Sequence, residues 1–103
     1  MELEELTQEL WQAAEKKRSC RIQLVGEPLT RNINPYGICR TPANLIVLVC
    51  WQFMGFTKPR GKEGYRNLQL TKIEKVEMMD THFQKRDDFN PKDGQYKEWV
   101  FHI

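Results

Sequence analysis

The chain has 103 residues, 40% of them hydrophobic and 11% aromatic, which suits one domain with a modest core and is too apolar for a disordered chain. A net charge of +2 lacks the strongly basic tail of a nonspecific DNA binder. The longest apolar run, residues 45–51, is far shorter than the roughly 20 residues a membrane-spanning helix requires.

Residues 2–17 read as a helix. Leu3, Leu6, Leu10, Trp11 and Ala14 recur at helical spacing and form one apolar stripe. Glutamates fill its first turns and Lys16, Lys17 and Arg18 close it, in keeping with the helix dipole. The stripe needs a cover, either its own domain or a partner chain. From Ser19 the period becomes two, with Cys20, Ile22 and Leu24 alternating with polar residues, as in a half-buried strand. GEP at 26–28 marks a turn, 29–34 a weak second strand, and NPYG at 34–37 another turn. Residues 44–52 (NLIVLVCWQ) are continuously apolar and predict a central strand buried on both faces. A long exposed hairpin loop follows over 53–64, then a strand over 65–70, a turn over 71–75 and a strand over 76–79. FNPKDG at 89–94 reads as loop. In residues 96–103, Trp99, Phe101 and Ile103 alternate as a candidate closing strand. The expected fold is mainly β with one N-terminal helix: a small antiparallel barrel or strongly curved sheet of five or six strands, with the helix over one opening.

Charge is unevenly distributed. Residues 1–15 carry five glutamates and no basic residue, which is the opposite of a secretory leader and leaves the cytoplasm as the expected compartment. Residues 16–66 carry ten Lys/Arg against Glu27 and Glu63. Two basic groups stand out there: Lys16, Lys17, Arg18 and Arg21, and then Lys58, Arg60, Lys62 and Arg66. Arginine forks suit phosphate, and Tyr36, Phe53, Phe56 or Tyr65 would offer a stacking face to a base; a merely solvated surface is the competing reading. Cys20, Cys39 and Cys50 form no C-x-x-C pair and read as small buried apolar residues. His82 and His102 lack metal-ligand spacing, so no metal or cofactor is expected. No Walker loop, G-x-S-x-G or H-E-x-x-H is present, and no constellation for acid–base catalysis emerges, so the chain reads as a nonenzyme.

The segments AAEKKRSCRIQLVGEP, RNINPYGIC, NLIVLVCWQ, YRNLQLTKIEKVEMMD and HFQKRDDF occur in this order. Together they resemble the WYL domain of bacterial regulators over roughly residues 12–90. The late motif, an Arg, an aromatic, a Leu, an Arg and an Ile, reads here as Arg66, Leu68, Leu70, Lys72 and Ile73. The Pro-Tyr-Gly at 35–37 is similar to another family element. Ile46, Val47 and Leu48 stand where the name-giving Trp-Tyr-Leu would be, and Leu24 where a tyrosine is usual.

The resemblance implies an Sm-like (SH3-like) barrel of about five strands, over residues 20–83 of a single domain 1–103. It also implies a sensor or regulator role and an anionic effector, single-stranded nucleic acid or a nucleotide-like anion. With one helix ahead of the strands there is no helix-turn-helix, and readout of duplex DNA through a recognition helix is not expected. On this reading Arg66 and Lys72 would pair with phosphate, Arg31 or Arg40 would assist, and Tyr36 would stack. The alternative is a protein-interaction or oligomerisation module, using the helix stripe and open strand edges to bind a second copy or a partner regulator.

Overall fold

A computed structural model describes residues 2–55 and 63–103. Helix α1 spans Leu3–Glu15. It stops two residues short of the expected end because Lys17 takes a left-handed conformation, φ 55°, and its N–H turns back to the Ala14 carbonyl. Lys16, Lys17 and Arg18 therefore lie beyond the helix, and its last turn holds no basic residue. Strands β1 (Arg18–Leu24), β2 (Arg31–Arg40), β3 (Ile46–Gly55) and β4 (Gly64–Gln69) follow. A 3-10 turn, Leu70–Lys72, leads into β5 (Ile73–His82), and β6 (Glu98–His102) comes last.

All the ladders are antiparallel, in the order β4-β3-β2-β1-β5, with β6 added to β2. The first half of β2 pairs β1 through Arg31–Ile33, and β6 pairs its second half through Gly37–Arg40. The C-terminal strand thus occupies the edge that β1 leaves vacant, rather than closing a ring. Among the described residues no ladder joins β4 to β5, and the sheet stays open there.

Two strands depart from their expected pattern. NPYG, expected as a turn, lies inside β2. Pro35 faces Cys50 and Gly37 faces Val49, with Tyr36 as the extra residue of a bulge. A bulge is the place where a strand tolerates proline's missing donor. In β6 the register shifts between the partners of Ile38 and Cys39, so Val100 is extra. Trp99 and Phe101 then point to opposite faces instead of sharing one. The loop expected over 53–64 is strand as far as Gly55, and its residues 56–62 lie outside the described residues.

The sheet carries a core on each side. On the inner face, Leu6, Leu10, Ala13 and Ala14 of α1 pack on Cys20, Ile22, Ile33, Leu48 and Val76. Burying Leu6 and Leu10 alone contributes about 1.5–3 kcal/mol each. Leu6, Leu10 and Ala14 of the helix stripe are thus covered by the chain's own sheet, while Leu3 and Trp11 stay 51% and 37% exposed. On the outer face, Tyr36, Val47, Val49 and Phe89 meet Trp51, Tyr65, Phe83, Tyr96 and Trp99. Residues 83–97, without regular pairing, cross this face. The central strand is buried on both sides, as its composition predicts: Val47 and Val49 point outward, Leu48 and Cys50 inward. A radius of gyration of 12.5 Å is close to the ~13 Å of a single folded domain this long. Among the described residues no helix is long and apolar enough to cross a membrane.

Candidate functional site

Arg31 opens β2, four residues beyond Glu27 across the β1–β2 turn. Its Nε and Nη2 donate to the two carboxylate oxygens of Glu27 at 2.9 and 2.6 Å, and Nη1 donates to Gln52 Oε1 at 3.2 Å. Both side chains are largely buried, 13% and 17% exposed. Gln52 is itself 1% exposed, so its carbonyl oxygen needs this donor. In β4, Arg66 sits directly opposite Cys50 and donates from Nη1 to the Tyr65 carbonyl at 3.0 Å. Burial pushes the Cys50 thiol up to about 12, while Arg31 and Arg66 both pull it down. Gln52 and Cys50 are two residues apart on one face of β3, so the two arginines meet neighbouring positions of that strand.

Lys72 is exposed at the end of the 3-10 turn. Its carbonyl accepts from the Val25 N–H, which holds it against the turn that carries Glu27. Arg31 thus reaches Gln52 on β3, Arg66 stands opposite Cys50 two residues along the same strand, and the Lys72 backbone abuts the β1–β2 turn, with Glu27 as the counter-charge of Arg31.

Arg40 and Tyr36 stand apart from that group. Arg40 ends β2, nine residues after Arg31 and roughly 30 Å along an extended strand, and lies opposite Glu98. Tyr36 is fully buried. Phe83 stacks on its ring at 5.7 Å and 23°, Phe89 and Tyr65 meet it edge-on at 4.9 and 5.7 Å, and its hydroxyl accepts the Arg86 N–H at 2.9 Å. Burial raises its pKa. The expected stacking face is closed, because the bulge turns the ring into the outer core.

No protein-family model matches the chain, and no curated protein or solved structure matches it.

Two of the four cations in the first basic group of the sequence are paired. Arg18 donates to the Met79 carbonyl at 2.7 Å and pairs with Asp80 at 3.1 Å; Arg21 pairs with Glu77 at 2.8 Å. Both acids belong to β5, so folding sets the acidic late segment against the basic middle. Of the second group, Lys58, Arg60 and Lys62, like the candidate stacking ring Phe56, fall among residues 56–62, outside the described residues.

The outer face has a clasp of its own. Arg86 lies 3.8 Å over the Trp51 ring and forks onto Asp88 at 3.0 and 3.2 Å, while the Tyr65 hydroxyl donates to Asp88 at 2.7 Å. The bonds from Arg86 and then Tyr65 hold the Asp88 carboxyl below its usual range. Burial, then the bond to Asp88, raises Tyr65. Among the described residues no group of three or more His, Cys, Asp or Glu is placed to hold a metal ion.

Proposed function

We propose that this chain is a noncatalytic ligand-binding domain of the WYL kind on an Sm-like barrel. Its ligand is an anion, either single-stranded nucleic acid or a nucleotide, taken beside Arg66 and Arg31 with Lys72 at the rim. The element order supports the fold: a helix, four meandering strands, a 3-10 turn and a fifth strand returning to the first. The observation that carries the site is the placement of two arginines along one stretch of β3: Arg31 bonds Gln52 at 3.2 Å, and Arg66, 35 residues away in sequence, stands opposite Cys50 two residues along that strand. Glu27 holds Arg31 in a fixed fork, so Arg66 and Lys72 bear the phosphate contacts and Arg31 shapes the wall.

Titrating a fluorescein-labelled oligothymidylate at two salt concentrations tests this reading. Binding weakens with salt by a log–log slope of roughly 0.7 per phosphate contacted. Arg66→Ala weakens it further and flattens that slope, whereas Arg40→Ala, at the far end of β2, changes neither. An absence of binding at low salt would rule out the nucleic-acid form.

The open ends of the sheet support a second reading, an interaction module that pairs through the β4 or β5 edge. Light scattering separates the two: a strict monomer at high concentration excludes self-association through these edges.

A further inference from the structure

The outer face of the sheet has a concavity that the anion reading leaves unused. Its volume is about 380 Å³ and it spans β1, β2, β3 and β5, within the range of small-molecule sites. Strand alternation places it on the opposite face from Gln52 and Cys50.

Its lining is polar and planar. Asn32 and Asn34 stand two residues apart on β2, roughly 7 Å along one face. The buried Ser19 hydroxyl donates to Asn34 Oδ1 at 2.6 Å, which leaves the Asn34 NH2 facing other partners. Among the described residues the Asn32 NH2 is bonded to the Met54 thioether, a weak acceptor, at 3.7 Å. Phe53 and Phe83 supply rings, and Met79 and Thr81 come from β5. Phe83 is held from behind by its stack on the buried Tyr36, and its N–H is bonded to the Lys17 carbonyl. Among the described lining residues His82 is the sole ionisable side chain, and the neighbouring Arg18 and Arg21 are paired to Asp80 and Glu77.

Two amides and two phenyl rings in one groove, whose described lining carries a single ionisable side chain, match one class of ligand. We propose that this groove binds the heterocyclic base of a nucleoside, with Asn32 and Asn34 on its hydrogen-bonding edge and Phe83 against its face. The site is independent of the arginine site around Gln52. A base can arrive as a free nucleoside or as part of a strand, and the chemistry of the groove is the same for both.

An NMR titration of the 15N-labelled chain with adenosine, cytidine, guanosine and uridine tests it, because these probes carry no phosphate. The side-chain NH2 signals of Asn32 and Asn34 move saturably with at least one of them, at the same affinity in low and high salt. Phe83→Ala weakens binding by at least about fivefold, and Arg66→Ala leaves it unchanged. Met54→Trp, at a position 63% exposed and remote from the core, fills the groove and abolishes binding without unfolding the chain. An oligonucleotide of the preferred base that shifts the same signals at higher affinity identifies a strand as the source; equal affinity per base identifies the free nucleoside. The proposal is overturned if no nucleoside gives a saturable shift, if the shifts map to Arg31 and Arg66 instead, or if they vanish with salt. Failure here leaves the salt-dependent binding at Arg66 intact, and failure there leaves this groove intact.

Discussion

Gly37→Ala tests the seam between β2 and β6. A Cβ at Gly37 would fall on the Phe101 carbonyl oxygen, 2.7 Å from the Trp99 ring and 2.9 Å from the His102 Cα. Two of these three are backbone atoms, so no rotamer change relieves the clash. The chain has two responses. It can strain locally, at the 1–3 kcal/mol typical of overpacking. Or it can release β6, giving up the burial of Phe101, about 1.5–3 kcal/mol, and its stack on Trp11 at 4.9 Å, about 0.5–1.5 kcal/mol. The cheaper response sets the cost, so the expected loss is about 2 kcal/mol, or roughly 10 °C in Tm for a chain this size. Urea denaturation followed by tryptophan emission measures it. Phe101→Ala provides the cycle partner: with β6 already loosened, Gly37→Ala costs about 1 kcal/mol less than it does in the native chain. Additive losses, or a single-variant loss below about 0.5 kcal/mol, refute the steric account.

Glu27→Gln removes the carboxylate that both Nε and Nη2 of the largely buried Arg31 bond, so it costs about 1.5–3 kcal/mol, whereas Glu77→Gln, at the exposed pair with Arg21, costs at most about 1 kcal/mol; chemical denaturation of both variants checks the difference. The three cysteines, buried with thiols pushed up to about 12, 11 and 12, resist iodoacetamide at neutral pH in the folded chain and react once it is unfolded, as mass spectrometry of the labelled protein reads directly. Unfolded thiols ionise near 9.0 and folded ones only near 11 to 12, so this contribution to stability is fully present below about pH 9 and declines as pH rises towards 12; a urea midpoint that does not fall between pH 8 and pH 10.5 contradicts it.

The sequence made visible whatever depends on local periodicity. The stripe through Leu6, Leu10 and Ala14, the alternation Cys20-Ile22-Leu24 and the two-sided burial of residues 47–50 are each the signature of one element, and each is found in place. The bulges at Tyr36 and Val100 were hidden because a bulge reverses side-chain parity without changing composition. Tyr36 therefore read as a ligand-stacking ring when it is a core residue, and Trp99 and Phe101 read as one face when they serve two. The ion pairs were hidden for a different reason: Arg18 and Arg21 meet their acids about 60 residues away, and only the β1–β5 ladder brings them together. Glu27 was the legible exception, four residues from Arg31 across a GEP turn. The groove at Asn32 and Asn34 gave no signal beyond two amides spaced by two in a strand that had read as weak.

The shared edge of β2 also has a consequence for the order of assembly. The inner core joins residues 6–76 with only Phe101 added from β6, and its ladders are largely neighbouring hairpins. The outer core cannot form until Phe89, Tyr96 and Trp99 arrive from the C-terminal segment. Whenever β6 is undocked, α1 and the first five strands can be in place while one edge of the second half of β2 loses its partner and Tyr36, Val47 and Val49 lose part of their cover. That state is when the chain is most exposed to pairing with a foreign strand, and it ends only when β6 reaches Gly37.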